Sequence, residues 1–144
     1  MISELQDILR DAYIRERKLG LLYETLAELD SADGDGDTFF VQAHGDQQSD
    51  METLDTINKK YGGEEIDPNV LTRMGQTLAN LRAGRKDRDE LIRQVLEDET
   101  QLVEVYKSSL RHLSSDDDSR KKINSILTVK LVHRRDLMSE LEMF

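Results

Sequence analysis

Apolar residues along this chain recur at helical spacing. Ile2, Leu5, Leu9, Ala12, Leu19, Tyr23 and Leu26 advance by alternating steps of three and four. That spacing lays them along one stripe of a helix ending near Leu29, with Ser3 and Gln6 as a capping box at its start. Residues 30–37 (DSADGDGD) are small and acidic and predict a loop. A second helix is expected over 38–61, with Phe40, Ala43, Met51, Leu54, Ile57 and Tyr61 on one face and Gly62-Gly63 as its stop. Asp67-Pro68 reads as an N-cap with proline at the first helical position. It opens a shorter helix carrying Val70, Leu71, Met74, Leu78 and Leu81 and ending near Gly84. Asp87 and Glu90 form another capping box, before a face of Leu91, Ile92, Val95, Leu96, Leu102, Val103, Tyr106, Leu110 and Leu113. Residues 114–119 (SSDDDS) form a turn whose acids favour the N-terminus of a last helix with Ile123, Ile126, Leu127, Leu137, Met138 and Leu141. The expectation is an all-α, single-domain antiparallel four-helix bundle over residues 1–144. A short extra helix lies in the crossover between the second and third long helices, a connection that lets those two run parallel.

Composition narrows the chemistry. The chain has 144 residues, 37% of them apolar and 35% charged, which suits long solvated helices around one core. It contains no cysteine, so a disulfide framework, a thiolate nucleophile and Cys-ligated metals are excluded. Thirty acidic against twenty basic residues give a net charge of −10 and a pI near 4.8. Nucleic acid and anionic lipid both need a cationic footprint and are not expected partners. The start Met1-Ile2-Ser3-Glu4 lacks the pattern of a signal peptide, and no run of 18 apolar residues occurs, so a cytoplasmic protein is expected.

The informative residues are those that interrupt the stripes, because a buried charge is costly unless paired or metal-bound. Glu16 is the charged member of the first stripe, and Glu99 falls near the centre of the third. On the second helix Gln47 sits between Ala43 and Met51, with Asp50 towards the edge. A projection of the last helix puts Lys130 and Arg134 near the centre and His133 and Asp136 on the flank. Two readings follow. One is a carboxylate and imidazole site for iron or manganese, with Glu16, Glu99, His133 and Asp136 as the ligands. The other is a metal-free ionic cluster in which Lys130 and Arg134 neutralise Glu16 and Glu99. Di-metal bundles use Glu-x-x-His on two helices, a motif this chain lacks; Gln47-x-x-Asp50 and His133-x-x-Asp136 are its nearest substitutes.

At these residues the chain resembles the ferritin-like superfamily, in particular its small bacterial four-helix members. Residues 9–19 (LRDAYIRERKL) resemble the first helix of a stress-associated ferritin-like family, in which the glutamate at the place of Glu16 is a metal ligand. The Tyr61-Gly62-Gly63-Glu64 stretch, residues 91–99 (LIRQVLEDE) and residues 106–110 (YKSSL) are similar to a ferritin-like domain of unknown function. The resemblance covers about a third of the chain. It implies a ferritin-like bundle and carries metal-ligand roles to Glu16 and Glu99 alone.

Other signals are weaker. Asp33, Asp35 and Asp37 have part of the spacing of a calcium loop, but Thr38 and His44 stand where an EF-hand needs glycine and glutamate. His44, His112 and His133 are too dispersed for a zinc motif, and Tyr13, Tyr23, Tyr61 and Tyr106 read as packing aromatics with hydroxyls at the rim. No phosphate-binding loop or nucleophile elbow occurs. The first functional expectation is therefore a non-catalytic structural or interaction module with a degenerate metal site and no cofactor. Ile14, Leu21, Leu22, Leu131 and Val132 widen its faces towards a homodimer or another protein partner. The alternative is an iron- or manganese-binding storage protein or oxidoreductase, and a third class is an acidic helical chaperone.

Overall fold

The computed structural model describes residues 3–32, 38–63 and 88–141. Among these the chain forms four helices and no strand: α1 (Ser3–Ala32), α2 (Thr38–Lys60), α3 (Arg88–Leu110) and α4 (Asp117–Leu141). The first helix continues past Leu29, into the residues expected to form the loop. The predicted short helix and the Asp33–Asp35–Asp37 spacing lie outside the described residues.

The alternating three–four step governs all four helices. Buried positions are 5, 9, 12, 16, 19, 23 and 26 on α1; 40, 43, 47, 50, 54 and 57 on α2; 92, 95, 99, 102, 106 and 109 on α3; and 119, 123, 126, 130, 133 and 137 on α4. A seven-residue repeat of this kind lets neighbouring helices interlock at shallow angles. Neighbours meet in opposite order along their lengths. The Gln6 amide donates to the Tyr61 carbonyl at 2.8 Å near one end of α1 and α2, while Tyr23 stacks near Phe40 at 6.4 Å towards the other. Likewise His112 lies 3.8 Å from Glu4, and Lys18 3.5 Å from Asp98, so α1 and α3 are antiparallel. Arg88 pairs with Glu140 at 3.1 Å where α3 begins and α4 ends.

Local chemistry fixes the ends near Tyr61. Gly62 adopts φ of 75°, the left-handed conformation that ends α2 and that glycine takes without steric cost. Asp116 caps α4, accepting from the Ser119 amide at 3.1 Å and from its hydroxyl at 2.8 Å. The same carboxylate accepts from the Tyr61 hydroxyl at 2.6 Å and pairs with Lys60 at 2.8 Å, which ties the end of α2 to the start of α4.

Two details correct the sequence reading. Leu22 is fully buried in the core and Leu21 packs partly against it, so neither widens an outer face of α1. The second correction concerns Met138, assigned to the core stripe of the last helix, which is exposed together with Leu131 and Val132.

Candidate functional site

Each helix brings polar side chains to its seam at about mid-length, and the antiparallel packing sets them at one level. Lys130 on α4 lies at the centre, fully buried. Its ammonium is 2.7 Å from Glu16 Oε1 on α1, 3.2 Å from Glu99 Oε1 on α3 and 3.3 Å from Asp50 Oδ2 on α2. The Tyr106 hydroxyl donates to the other oxygen of Glu16. Gln47 donates to the Glu16 backbone carbonyl at 2.7 Å, and a Cβ at Gly20 would overlap that amide, so Gly20 permits the close approach of α1 and α2.

His133 extends the cluster towards the surface. Its Nδ1 is 3.3 Å from Glu99 Oε2 and its Nε2 is 3.0 Å from Asp46, a carboxylate that reaches solvent. Tyr23 and Phe39 meet the imidazole edge-on, at 5.9 and 6.3 Å between ring centres, and hold its orientation. Neither oxygen of Glu99 makes a well-aligned hydrogen bond among the described residues, and Gln47 Oε1 and Asp50 Oδ2 share that condition. The Tyr23 hydroxyl and His133 Nδ1 are donors in the same condition, so Glu99 is held by charge more than by aligned hydrogen bonds.

The titration of these groups follows from burial set against their mutual charges. Burial pushes the Glu16 carboxyl up to about 7 despite the opposing pull of Lys130, with Asp50 adding to the rise. Burial likewise raises Asp50 to about 6, again against Lys130. Burial alone would discharge Lys130, but the three surrounding carboxylates overcome it and hold the ammonium charged. His133 follows the same pattern: burial opposes its charge, while Glu99 and Asp46 outweigh burial and raise its pKa. Burial also raises the Tyr23 and Tyr106 phenols, so both remain protonated donors. Glu16 and Asp50 face the same ammonium from two helices and so form a proton-sharing pair whose titrations are linked.

The sequence-derived candidates divide as follows. Glu16, Glu99 and His133 come together, while Asp136 sits outside, partly exposed and 3.6 Å from Arg135. The expected partners of the two glutamates were Lys130 and Arg134. The residues found there are Lys130 and His133, with Arg134 only half-buried. His133 rather than Arg134 continues the heptad step through 126, 130 and 137, and that register was readable in the sequence. Asp50 is likewise in the seam and not at its edge, and the Tyr106 hydroxyl points into the centre and not to the rim. The site does not fit a divalent metal in this arrangement. A charged ammonium, which has no lone pair to donate, occupies the point where the three carboxylates converge.

One consequence distinguishes this cluster from a simple ion pair. Removing the charge of Glu99 leaves Lys130 with Glu16 and Asp50, so no cation is stranded. Glu99→Gln is therefore expected to change unfolding free energy by less than about 2 kcal/mol, below the usual cost of breaking a buried pair. Urea denaturation at pH 7 measures this, and a loss above that value would mean that Glu99 alone carries the neutralisation.

Compared with known protein families, curated proteins and solved structures, the chain matches none, so its functional reading rests on its own residues.

Proposed function

We propose that this chain is a metal-free, non-catalytic member of the ferritin-like bundles, acting as a structural or interaction module. The supporting observation is the position of the Lys130 ammonium, fully buried and within 3.3 Å of carboxylates from the three other helices. In a ferritin-like arrangement a metal would serve as the shared cation of such a centre; here the chain supplies its own. A buried ionic layer of this type adds little net stability against an apolar core, and its use is to fix which side chains face which, and so the helix register. The antiparallel order and the parallel relation of α2 to α3 agree with a bundle having one long crossover, the place proposed for the short extra helix. An interaction role agrees with the exposed Leu131, Val132 and Met138 on α4.

Metal loading tests the reading. After anaerobic incubation with iron or manganese and desalting, the wild-type chain is expected to retain less than about one-tenth of an ion. Stoichiometric retention that is lost in Glu99→Ala would overturn it in favour of a carboxylate metal site.

A further inference from the structure

The four helices leave one neighbouring pair loosely joined. Between α2 and α4 lies a cavity of about 220 Å³, open to solvent on one side, lined by Phe39, Ala43, Val129 and Val132 and by the carboxylates Asp46 and Asp136. Its size suits one long side chain rather than the ridge of a whole helix. The lining is apolar along the walls and carries carboxylates, a pairing that matches an alkyl stem ending in a cation. His133 also lines it and is engaged with Asp46 on one side and Glu99 on the other. Among the described residues Asp136 pairs with Arg135, at 3.6 Å on the exposed surface.

We infer that the α2–α4 groove is a docking site for a lysine or arginine side chain presented by a basic amphipathic helix of a protein partner. Charge decides among occupants. An anionic peptide would meet Asp46 and Asp136, the two carboxylates of the lining. A cationic helix meets complementary charge at the groove and across the chain as a whole, which favours fast encounter as well as seating. Val132, exposed beside the opening, offers the apolar contact that a leucine of such a helix would cover.

This inference rests on the interaction-module reading, and the experiment separates the two. The probe is a designed leucine–lysine amphipathic helix, with the same peptide carrying glutamate for lysine as its counterpart. Methyl resonances of Val129 and Val132 should shift with the lysine peptide and not with the glutamate peptide. Affinity should fall about tenfold in D46N/D136N and likewise in Thr128→Arg, which places an internal cation at the exposed edge of the groove. Circular dichroism confirms that the variants remain folded. Equal binding of both peptides, shifts confined to other surfaces, or a wild-type dimer that Thr128→Arg dissociates would each overturn the groove assignment. Stoichiometric metal in the wild type would instead overturn the module reading, whatever the peptides do.

Discussion

Replacing Lys130 with methionine is expected to lower the unfolding free energy by about 3–5 kcal/mol at pH 7–8, the range for stranding a buried charge by removing its partner. In a chain of this length that corresponds to a fall in melting temperature of roughly 10 °C. Methionine preserves most of the side-chain volume, so the loss reports charge and not a cavity. The cost is large because Glu16, Asp50 and Glu99 all face this one ammonium, and only His133 remains as a cation against Glu99. Arginine is not expected to rescue it: a planar guanidinium is bulkier than an ammonium and cannot sit as a point charge among three oxygens. The loss should shrink as pH falls through about 7 and about 6, where Glu16 and Asp50 take up protons. Thermal melts of the variant at pH 5 and pH 8 measure both effects. A methionine variant within about 1 kcal/mol of wild type at pH 8 would remove Lys130 from the centre of the account.

The contrast with Glu99→Gln explains why the sequence revealed the site's membership better than its wiring. Glu16, Glu99 and Lys130 were legible because each interrupts an apolar stripe at a position where solvent is excluded. The four helices were legible for the same reason, since the spacing of the apolar residues specifies a buried face before any partner is known. Assigning partners requires rotation to within about one residue, and an ideal projection at 100° drifts over the length of α4. That drift exchanges Arg134 for His133, and a similar uncertainty of rotation on α2 sets Asp50 at an edge. Tyr106 was legible as core-facing, but a stripe does not say whether its hydroxyl ends at the rim or in the centre. Asp46 was missed for a different reason. It belongs to no stripe, and its contact with His133 depends on how two helices distant in sequence are set against each other. The α2–α4 groove has the same origin: Val132 stands out in the sequence as an apolar residue off the main stripe, but nothing there sets it and Thr128 beside Asp46 until α2 is placed against α4.

Between pH 6 and pH 8 the wild-type bundle is expected to lose stability as pH rises. The folded chain holds protons on Glu16 and Asp50 at pH values where the unfolded chain has released them. Their pKa values stand at about 7 and about 6 against ordinary values of 4.5 and 3.8. A raised carboxyl contributes stability that is fully present below its unfolded pKa and is gone once pH passes its folded one. For Glu16 that window runs from 4.5 to about 7, and the raised pKa of His133 extends the loss in the same direction above its ordinary 6.5. Because the groups share protons, the cluster is treated as one unit, with a total on the order of 3 kcal/mol across the window. Asp116 works in the opposite sense. Lys60 and Tyr61 hold its pKa below the usual carboxylate range, so its contribution disappears only in strong acid. Urea denaturation at half-unit steps should give a falling unfolding free energy in wild type and a flatter profile in the Glu16→Gln, Asp50→Asn double variant. A profile that rises towards pH 8, or one the double variant leaves unchanged, would show that these carboxyls are already ionised in the folded chain at pH 6.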